Sequence, residues 1–460
     1  MKRYHTTFWG CQMNEADTQR VAAELEKLGY TYTDTAEDAD VVVLNTCVVR
    51  QSAEDKVYGK LGALKPIKAA RPDMVISLMG CLVGQNGKQA EALRKSWPMV
   101  DVFMAPSETR PLVDFLRARE MDRQAEAMDL SALTTAYSVQ DEELILPAYE
   151  RGKRVVANIP VMYGCDHVCT FCIIPYRRGR ERSRPADEIV REVRGLTRQG
   201  VREVMLLGQI VDRYGYDSGD NEGLPKLLRR LNDIDELARI RFLTSHPNYM
   251  TDDLLATVAE LPKVMEHINV PVQAGHDETL ARMKRGYTVE DYRRLVERIR
   301  ATIPNVAVHT DIIVGFAGET ADHFNATAEM LADLKLDKVH LAMYSPRPGT
   351  VSAKVMADDV PQAEKERRLQ VLNDQQAAIS VALNARYLGE TVEVLVEGLH
   401  KGKWRGRARN DRLVFFEDTT QDWSGRLAQV EVTWAGPWSL QARLPQTAAP
   451  ARETIPLLSL

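Results

Sequence analysis

Three times in the first 81 residues an apolar run ends on a cysteine: YHTTFWGC at 4–11, DVVVLNTC at 40–47 and DMVISLMGC at 73–81. Between them lie segments with helical spacing, NEADTQRVAAELEKLG and VRQSAEDKVYGKLGALKPIK. The cysteines stand 36 and then 34 residues apart, close to the length of one strand–helix–strand unit. This repeat narrows the possible folds more than any other feature of the chain. Strands joined by helical crossovers run parallel, so their C-terminal ends share one edge of a sheet. Cys11, Cys47 and Cys81 are therefore expected to converge in a parallel α/β domain spanning residues 1–121. Three separately buried core cysteines are the plainer reading, because a free cysteine packs as a small hydrophobe.

Residues 122–150 lose both helical and strand periodicity and read as a linker. From 153 to 345 strands and helices alternate again. The candidate strands are RVVANIPVMYG, REVMLLGQ, RIRFLTS, HINVPVQ, VAVHTDIIVGF and KVHLAMYS, with amphipathic helices such as ADEIVREVRGLTRQG between them. Six βα units in succession predict a partial, open (β/α)6 barrel over 151–384, whose functional groups gather at the C-terminal strand ends. Beyond a long helix come five short strand patterns, ETVEVLVEG, KWRGRAR, RLVFFE, RLAQVEVTWA and SLQARL. These predict a small antiparallel β-barrel of the OB-like kind at 385–446, followed by a tail at 447–460.

No apolar run approaches the ~18 residues that span a bilayer. The N-terminal MKRYHTTFWGCQMNEAD lacks the apolar segment of a secretory signal. A cytoplasmic protein without membrane contact is expected, and in that compartment six cysteines are not expected to form disulfides. The net charge of −5 rules out a globally basic field, so any nucleic-acid site has to be a local patch.

The other three cysteines are clustered as C-x3-C-x2-C at 165, 169 and 172. Three thiolates from one loop can grip three corners of a cubane iron–sulfur cluster and leave one iron without a protein ligand. Structural zinc is the alternative, but such sites are closed by a fourth Cys or His. His167 lies inside the loop, too close to its neighbours to complete a tetrahedron. Directly afterwards Arg177, Arg178, Arg180, Arg182 and Arg184 fall within eight residues, where they could bind RNA, bind another substrate or support the loop. In KGKWRGRARNDR the basic residues Lys401, Lys403, Arg405, Arg407 and Arg409 alternate. On a strand that period places all five on one face, able to track a phosphate backbone. A solvated edge strand would show the same charges; Trp404 among them favours RNA.

The loop GCDHVCTFC, with Phe171 immediately before Cys172, resembles that of the radical S-adenosylmethionine enzymes. The resemblance implies that S-adenosylmethionine occupies the open iron through its amino and carboxylate groups and is cleaved there to a 5′-deoxyadenosyl radical. LLGQ at 206–209 and DIIVGFAGE at 311–319 resemble the cosubstrate-binding segments, which implies cofactor contacts for Phe171, Gly208, Gln209, Gly315 and Glu319.

A closer resemblance, from residue 1 to about 445, is to the methylthiotransferases. It rests on GCQMNEADT, VLNTCVVRQSAEDK, LMGCL, TSHP at 244–247, TDIIVGF at 310–316 and YSPRPGT at 344–350. It implies a second 4Fe–4S cluster on Cys11, Cys47 and Cys81, again with an open iron, there carrying the sulfur to be methylated and inserted. All six cysteines are then used. The C-terminal barrel resembles the family's RNA-binding TRAM domain, which implies RNA contacts for Lys401, Lys403, Arg405, Arg407 and Arg409, with Arg177, Arg178 and Arg180. GCQMN and NTCVVR-x2-AE-x-K are similar to the branch that methylthiolates carbon 2 of the isopentenylated adenosine beside the tRNA anticodon. The branches acting on a ribosomal-protein aspartate or on threonylcarbamoyladenosine in tRNA read differently after the first cysteine.

The implied partners are a tRNA anticodon stem-loop, an electron donor such as flavodoxin or ferredoxin, and a sulfur or cluster donor; a monomer is expected. A non-catalytic iron–sulfur RNA-binding sensor would carry the same patches but needs neither open iron. Several loops depart from the family: GQIVDRYG has Ile210 and Asp212 where asparagines are usual, PVQAGH has Ala274 and His276, and Ala317 replaces a proline.

Overall fold

The computed structural model describes residues 2–49, 51–85, 87–127, 145–218 and 223–445. Most of the expected linker (128–144) and all of the expected tail (447–460) lie outside the described residues. Packing divides the chain into two units, Met1–Gln376 and Ala377–Leu460.

The first unit opens with a parallel sheet of β1 (Arg3–Trp9), β2 (Thr31–Tyr32), β3 (Val41–Thr46), β4 (Val75–Gly80) and β5 (Val102–Met104), in the order 2-1-3-4-5. Helices α1 (Gln12–Lys27), α2 (Gln51–Ala70), α3 (Gly87–Ser96) and α4 (Arg110–Ala127) connect the strands or follow them. β3 and β4 are buried along their whole length, which is why they read as continuous apolar runs. Val42, Leu44, Ile76 and Leu78 pack on Val57, Leu61 and Leu64 of α2. The alternate residues Val41, Val43, Val75 and Met79 meet Val21 and Leu25 of α1 and Leu112 of α4. The register aligns Trp9, Thr46 and Gly80 across β1, β3 and β4. The three cysteines therefore leave the sheet at one edge, as the repeat predicts.

α4 runs six residues into the expected linker, ending at Ala127. At the linker's other end Leu146 is 1% exposed within the core of the barrel that follows, and the Tyr149 ring lies 4.2 Å from that of Tyr32. Two apolar anchors in a polar stretch fix residues that periodicity alone leaves unassigned.

The barrel strands are β6 (Val156–Pro160), β9 (Glu203–Leu207), β10 (Arg239–Leu243), β11 (His267–Asn269), β12 (Ala307–Val314) and β13 (Lys338–Met343); a hairpin of β7 (Met162–Tyr163) and β8 (Arg182–Ser183) brackets the cysteine loop. All six pair in parallel and in sequence, with β10 joined to the segment before β11 by a bridge from Ile240 to Val264. Among the described residues no ladder returns from β13 to β6, so the barrel is open. Amphipathic helices cover it; α6 (Ala186–Arg198), after the short α5 (Ile174–Arg178), buries Ile189, Val193 and Leu196 at helical spacing.

The second unit is a closed barrel of β14 (Thr391–His400), β15 (Lys403–Ala408), β16 (Leu413–Phe416), β17 (Leu427–Ala435) and β18 (Leu440–Arg443), in the order 14-15-16-18-17. The expected antiparallel barrel holds for four pairs, but β16 and β18 are parallel. An odd number of strands cannot alternate direction all round a closed ring, so one parallel pair is unavoidable. Among the described residues no helix is long and apolar enough to cross a membrane.

Candidate active site

The N-terminal triad is fixed by backbone before any metal is considered. Cys47 and Cys81 directly follow β3 and β4, and both are buried. Cys11 is the exposed N-cap of α1. The Cys47 amide donates to Trp9 O at 2.8 Å, tying two of the three strand ends together. A buried amide network ties α1 to β3: Asn14 Nδ2 donates to Asn45 Oδ1 at 2.8 Å, and Asn45 Nδ2 donates to Asn14 O at 2.8 Å. Gly80 has φ +99°, and a Cβ there would stand 2.4 Å from Asn45 Oδ1 and 2.6 Å from Thr46 O. Only glycine lets β4 turn its cysteine inward so close to β3.

The Cys47 thiol is held protonated by its hydrogen bond to Cys81 and by burial. Cys81 is drawn below the ordinary thiol range, first by that hydrogen bond and then by Arg178. The Cys11 field also acts on Cys47, so the convergence extends to all three side chains.

The second triad lies in the loop between β7 and β8. Gly164, at φ +70°, begins the loop, and a Cβ there would strike Arg180 O at 2.0 Å. Cys165 N donates to Gly179 O at 3.1 Å, and Cys172 N donates to Cys169 O at 3.0 Å. Thr170 pins the middle of the loop through its amide to Met283 O (3.1 Å) and its hydroxyl to Arg282 O (2.8 Å). Burial pushes Cys165 up to about 11 and Cys172 up to about 12, so metal binding here must release protons. Arg285, 7% exposed, donates to Cys169 Sγ at 3.3 Å.

Each triad offers three sulfurs. His167 is engaged with the Tyr249 hydroxyl at 2.8 Å, not offered to the loop's cysteines. The donor chemistry fits an iron–sulfur cluster with one open iron at each triad better than it fits zinc.

The two triads adjoin. Ile173, next to Cys172, shares one buried apolar cluster with Val48 and Cys81. Arg347 of YSPRPGT donates to Val49 O (2.7 Å) and Gln51 Oε1 (3.1 Å), joining the barrel to the segment after Cys47. Beside this seam a cavity of about 310 Å³ is lined by Arg177, Arg347, Glu54 and Tyr58 among others.

The expected cosubstrate residues share the strand-end rim with the second triad. Gly208 and Gln209 follow β9, Gly315 follows β12, and the Phe171 ring meets Phe316 edge-on at 6.4 Å. Glu319 points back into its own turn, where Gly315 and Phe316 amides donate to it and Arg368 lies at 3.3 Å. Its carboxylate shapes that turn.

Next to the loop, His246 of TSHP lies 4.8 Å from the His167 ring, and its Nε2 is buried without a partner among the described residues. Burial and the nearby Arg285 keep it neutral, down at about 2. Asp212 accepts the His246 amide at 3.0 Å and, by burial, is pushed up to about 8. Ile210 and Ala274 are core residues, and His276 stacks on His323 at 3.9 Å.

The basic residues divide. Arg180 is 90% exposed and pairs with Asp166 at 2.7 Å, Arg177 lines the cavity, and Arg178 is 3% exposed, facing Asp17 and Cys81 instead of solvent. Of the five alternating positions, Lys403, Arg405 and Arg407 share the outer face of β15, while Lys401 and Arg409 fall in the turns at its ends. The strand is shorter than the charge pattern because the chain reverses at Lys401–Gly402 and again at Asp411, all at positive φ. The outer face is already paired: Lys403 with Glu417 (3.0 Å), Arg405 with Glu397 (3.3 Å), and Arg407 with Glu397 and Asp411 (both 3.1 Å). Trp404 faces the barrel core, its Nε1 donating to Asp418 O at 2.9 Å. It is no stacking platform; the exposed tryptophans of this unit are Trp434 and Trp438.

Comparison with known proteins agrees with this architecture. Residues 3–105 match the model of Uncharacterized protein family UPF0004, 159–331 the Radical SAM superfamily and 385–444 the TRAM domain. A tRNA-2-methylthio-N(6)-dimethylallyladenosine synthase of Roseiflexus sp. (strain RS-1) is 47% identical over 447 residues, 96% of this chain and 90% of that one. One from Herpetosiphon aurantiacus is 46% identical over 96% of this chain and 97% of that one. The chain belongs to the radical SAM methylthiotransferase family. A solved radical S-adenosylmethionine methyltransferase, TsrM from Kitasatospora setae, shares the fold at TM-score 0.55 and 14% identity, over 88% of this chain and 81% of that one.

In this methylthiotransferase, sequence reasoning missed the roles of Arg285, Asp17 and Arg347. Asp17 and Arg347 stand inside recognised motifs, GCQMNEADT and YSPRPGT, which is the signal that could have found them. Arg285 stands in none of them; only the fold brings it to Cys169.

Proposed function

We propose that this enzyme inserts a methylthio group at carbon 2 of the isopentenylated adenosine beside the anticodon of tRNA. The observation that carries the reading is the meeting of two three-cysteine centres in one unit, with Ile173, next to Cys172, in one apolar cluster with Val48 and Cys81. Cys11, Cys47 and Cys81 would hold one 4Fe–4S cluster, and Cys165, Cys169 and Cys172 the other. With S-adenosylmethionine these groups supply the sulfur, the methyl group and the radical chemistry at the adenine carbon.

The chain's own residues position and shield. The Asn14–Asn45 network and Gly80 set the edge that presents the first triad, and Thr170 and Gly164 hold the second loop. Neutral His246, with its uncommitted Nε2, and half-buried Phe171 line the rim where cosubstrate and adenine would meet. Exposed Arg180, Lys401 and the outer face of β15 would exchange their water or carboxylate partners for RNA phosphates. The reading includes a cytoplasmic monomer that takes electrons from a flavodoxin- or ferredoxin-type donor and sulfur from a separate donor.

The test is anaerobic turnover on an isopentenylated anticodon stem-loop, read by nucleoside mass spectrometry. Wild type should form the 2-methylthio nucleoside and 5′-deoxyadenosine, and Cys169→Ala neither. Full turnover by Cys169→Ala refutes the proposal, and product only on threonylcarbamoyladenosine reassigns the substrate.

A further inference from the structure

Arg178 follows the second triad by six residues, yet its guanidinium serves the first. It is 3% exposed, and Asp17 of α1, 1% exposed, lies 3.6 Å away. Its Nη1 reaches Ser107 Oγ only at a long 3.5 Å. Both Asp17 carboxylate oxygens and Arg178 Nη2 are buried without a hydrogen-bond partner among the described residues. Two charges this dry and this poorly bonded are expensive to keep unless a further charge shares their field. The Cys81 sulfur and, more weakly, the Cys11 sulfur lie within the field of Arg178.

A cluster held by three thiolates brings net negative charge into that space, and its reduction potential follows local charge, hydrogen bonding and burial. We propose that Arg178, carried on the loop of one triad, is the charge-compensating residue of the other, and that Asp17 opposes it, the pair together setting the reduction potential at Cys11, Cys47 and Cys81. The inference rests on the reading that this triad holds a cluster.

The second triad offers a contrast. Arg285 donates to Cys169, to the Tyr287 hydroxyl (2.8 Å) and to Pro271 O (3.1 Å), and the Asp311 carboxyl lies within its field. Arg178 also joins the two halves electrostatically, because a shift of the loop after Cys172 moves the charge beside Cys81.

The test uses the full-length chain with Cys165, Cys169 and Cys172 replaced by alanine, reconstituted anaerobically so that only the N-terminal triad can bind, at about four irons per chain. Redox titration followed by electron paramagnetic resonance compares this parent with added Arg178→Gln, Arg178→Lys and Asp17→Asn. Removing the positive charge should shift the potential to more negative values and removing the carboxylate should shift it to more positive ones. Arg178→Lys should stay near the parent. A merely structural pair would weaken cluster retention in the same direction for both neutral variants and leave the potential of the bound fraction unmoved. That result, or a cluster lost alike in all three variants, overturns the inference. Failure of the parent itself to bind iron would instead overturn the cluster reading.

Discussion

Replacing Asp212 by asparagine should stabilise the protein, and by an amount that grows with pH. The residue is buried (6% exposed), its carboxyl accepts the His246 amide at 3.0 and 3.1 Å, and it lies in the field of an Arg213 already paired with Glu181 at 2.9 Å. Burial raises its pKa to about 8, against an opposing pull from those hydrogen bonds and from Arg213. In the unfolded chain an aspartate titrates near ~3.9. Between these two values the folded state holds a proton that the unfolded state has released, so stability falls as pH rises and levels off above the folded pKa. At ~1.4 kcal/mol per pH unit the penalty is about 1.5 kcal/mol at pH 5, about 4 at pH 7 and about 5 at pH 8.

Asparagine keeps an acceptor for the His246 amide and has no charge to lose. The assay is urea denaturation of the metal-free protein and of Asp212→Asn at pH 5 and at pH 8. The stability difference should favour the variant and widen by up to about 3.5 kcal/mol between the two pH values, less where the interior relaxes around the charge. A difference independent of pH would mean that Asp212 ionises alike in both states, and the reasoning from its enclosure would fail.

Trp404→Ala should destabilise the C-terminal barrel by about 3–5 kcal/mol, measured by thermal melting, because it empties a core site. Arg405→Ala should lower RNA affinity across sequences and reduce the slope of log K against log salt by about 1, read by fluorescence anisotropy; an unchanged slope would leave β15 outside the interface. Gly164→Ala should lower iron retention at the second triad alone, since its Cβ would strike Arg180 O; iron analysis in the Cys11/Cys47/Cys81 alanine background checks it.

Much of the fold was legible because burial writes itself into the strands. β3 and β4 are covered on both faces and carry largely apolar runs, and the similar spacing from cysteine to cysteine made the parallel edge deducible. Several barrel strands, such as β9, read out in the same way, whereas the strands of the last unit show instead the alternation of a one-sided sheet. What stayed hidden depends on neighbours distant in sequence. Arg178 looked like one member of a solvent-facing basic run, and only the docking of its loop against α1 takes it to Asp17. Trp404 alternates with basic residues, but alternation does not say which face of a strand is wet, and the wet face here belongs to the charges. The raised Asp212 pKa is a property of enclosure, which no local pattern encodes. Leu146 and Tyr149 are too few to make a period, so the end of the linker went unassigned.

Anaerobic iron and sulfide analysis of the wild-type chain beside the Cys11/Cys47/Cys81 triple-alanine variant tests the central claim most directly. Two separate centres predict about eight irons per chain, falling to about four in the variant. About four irons in both proteins would make the N-terminal cysteines ordinary core residues and contradict the account.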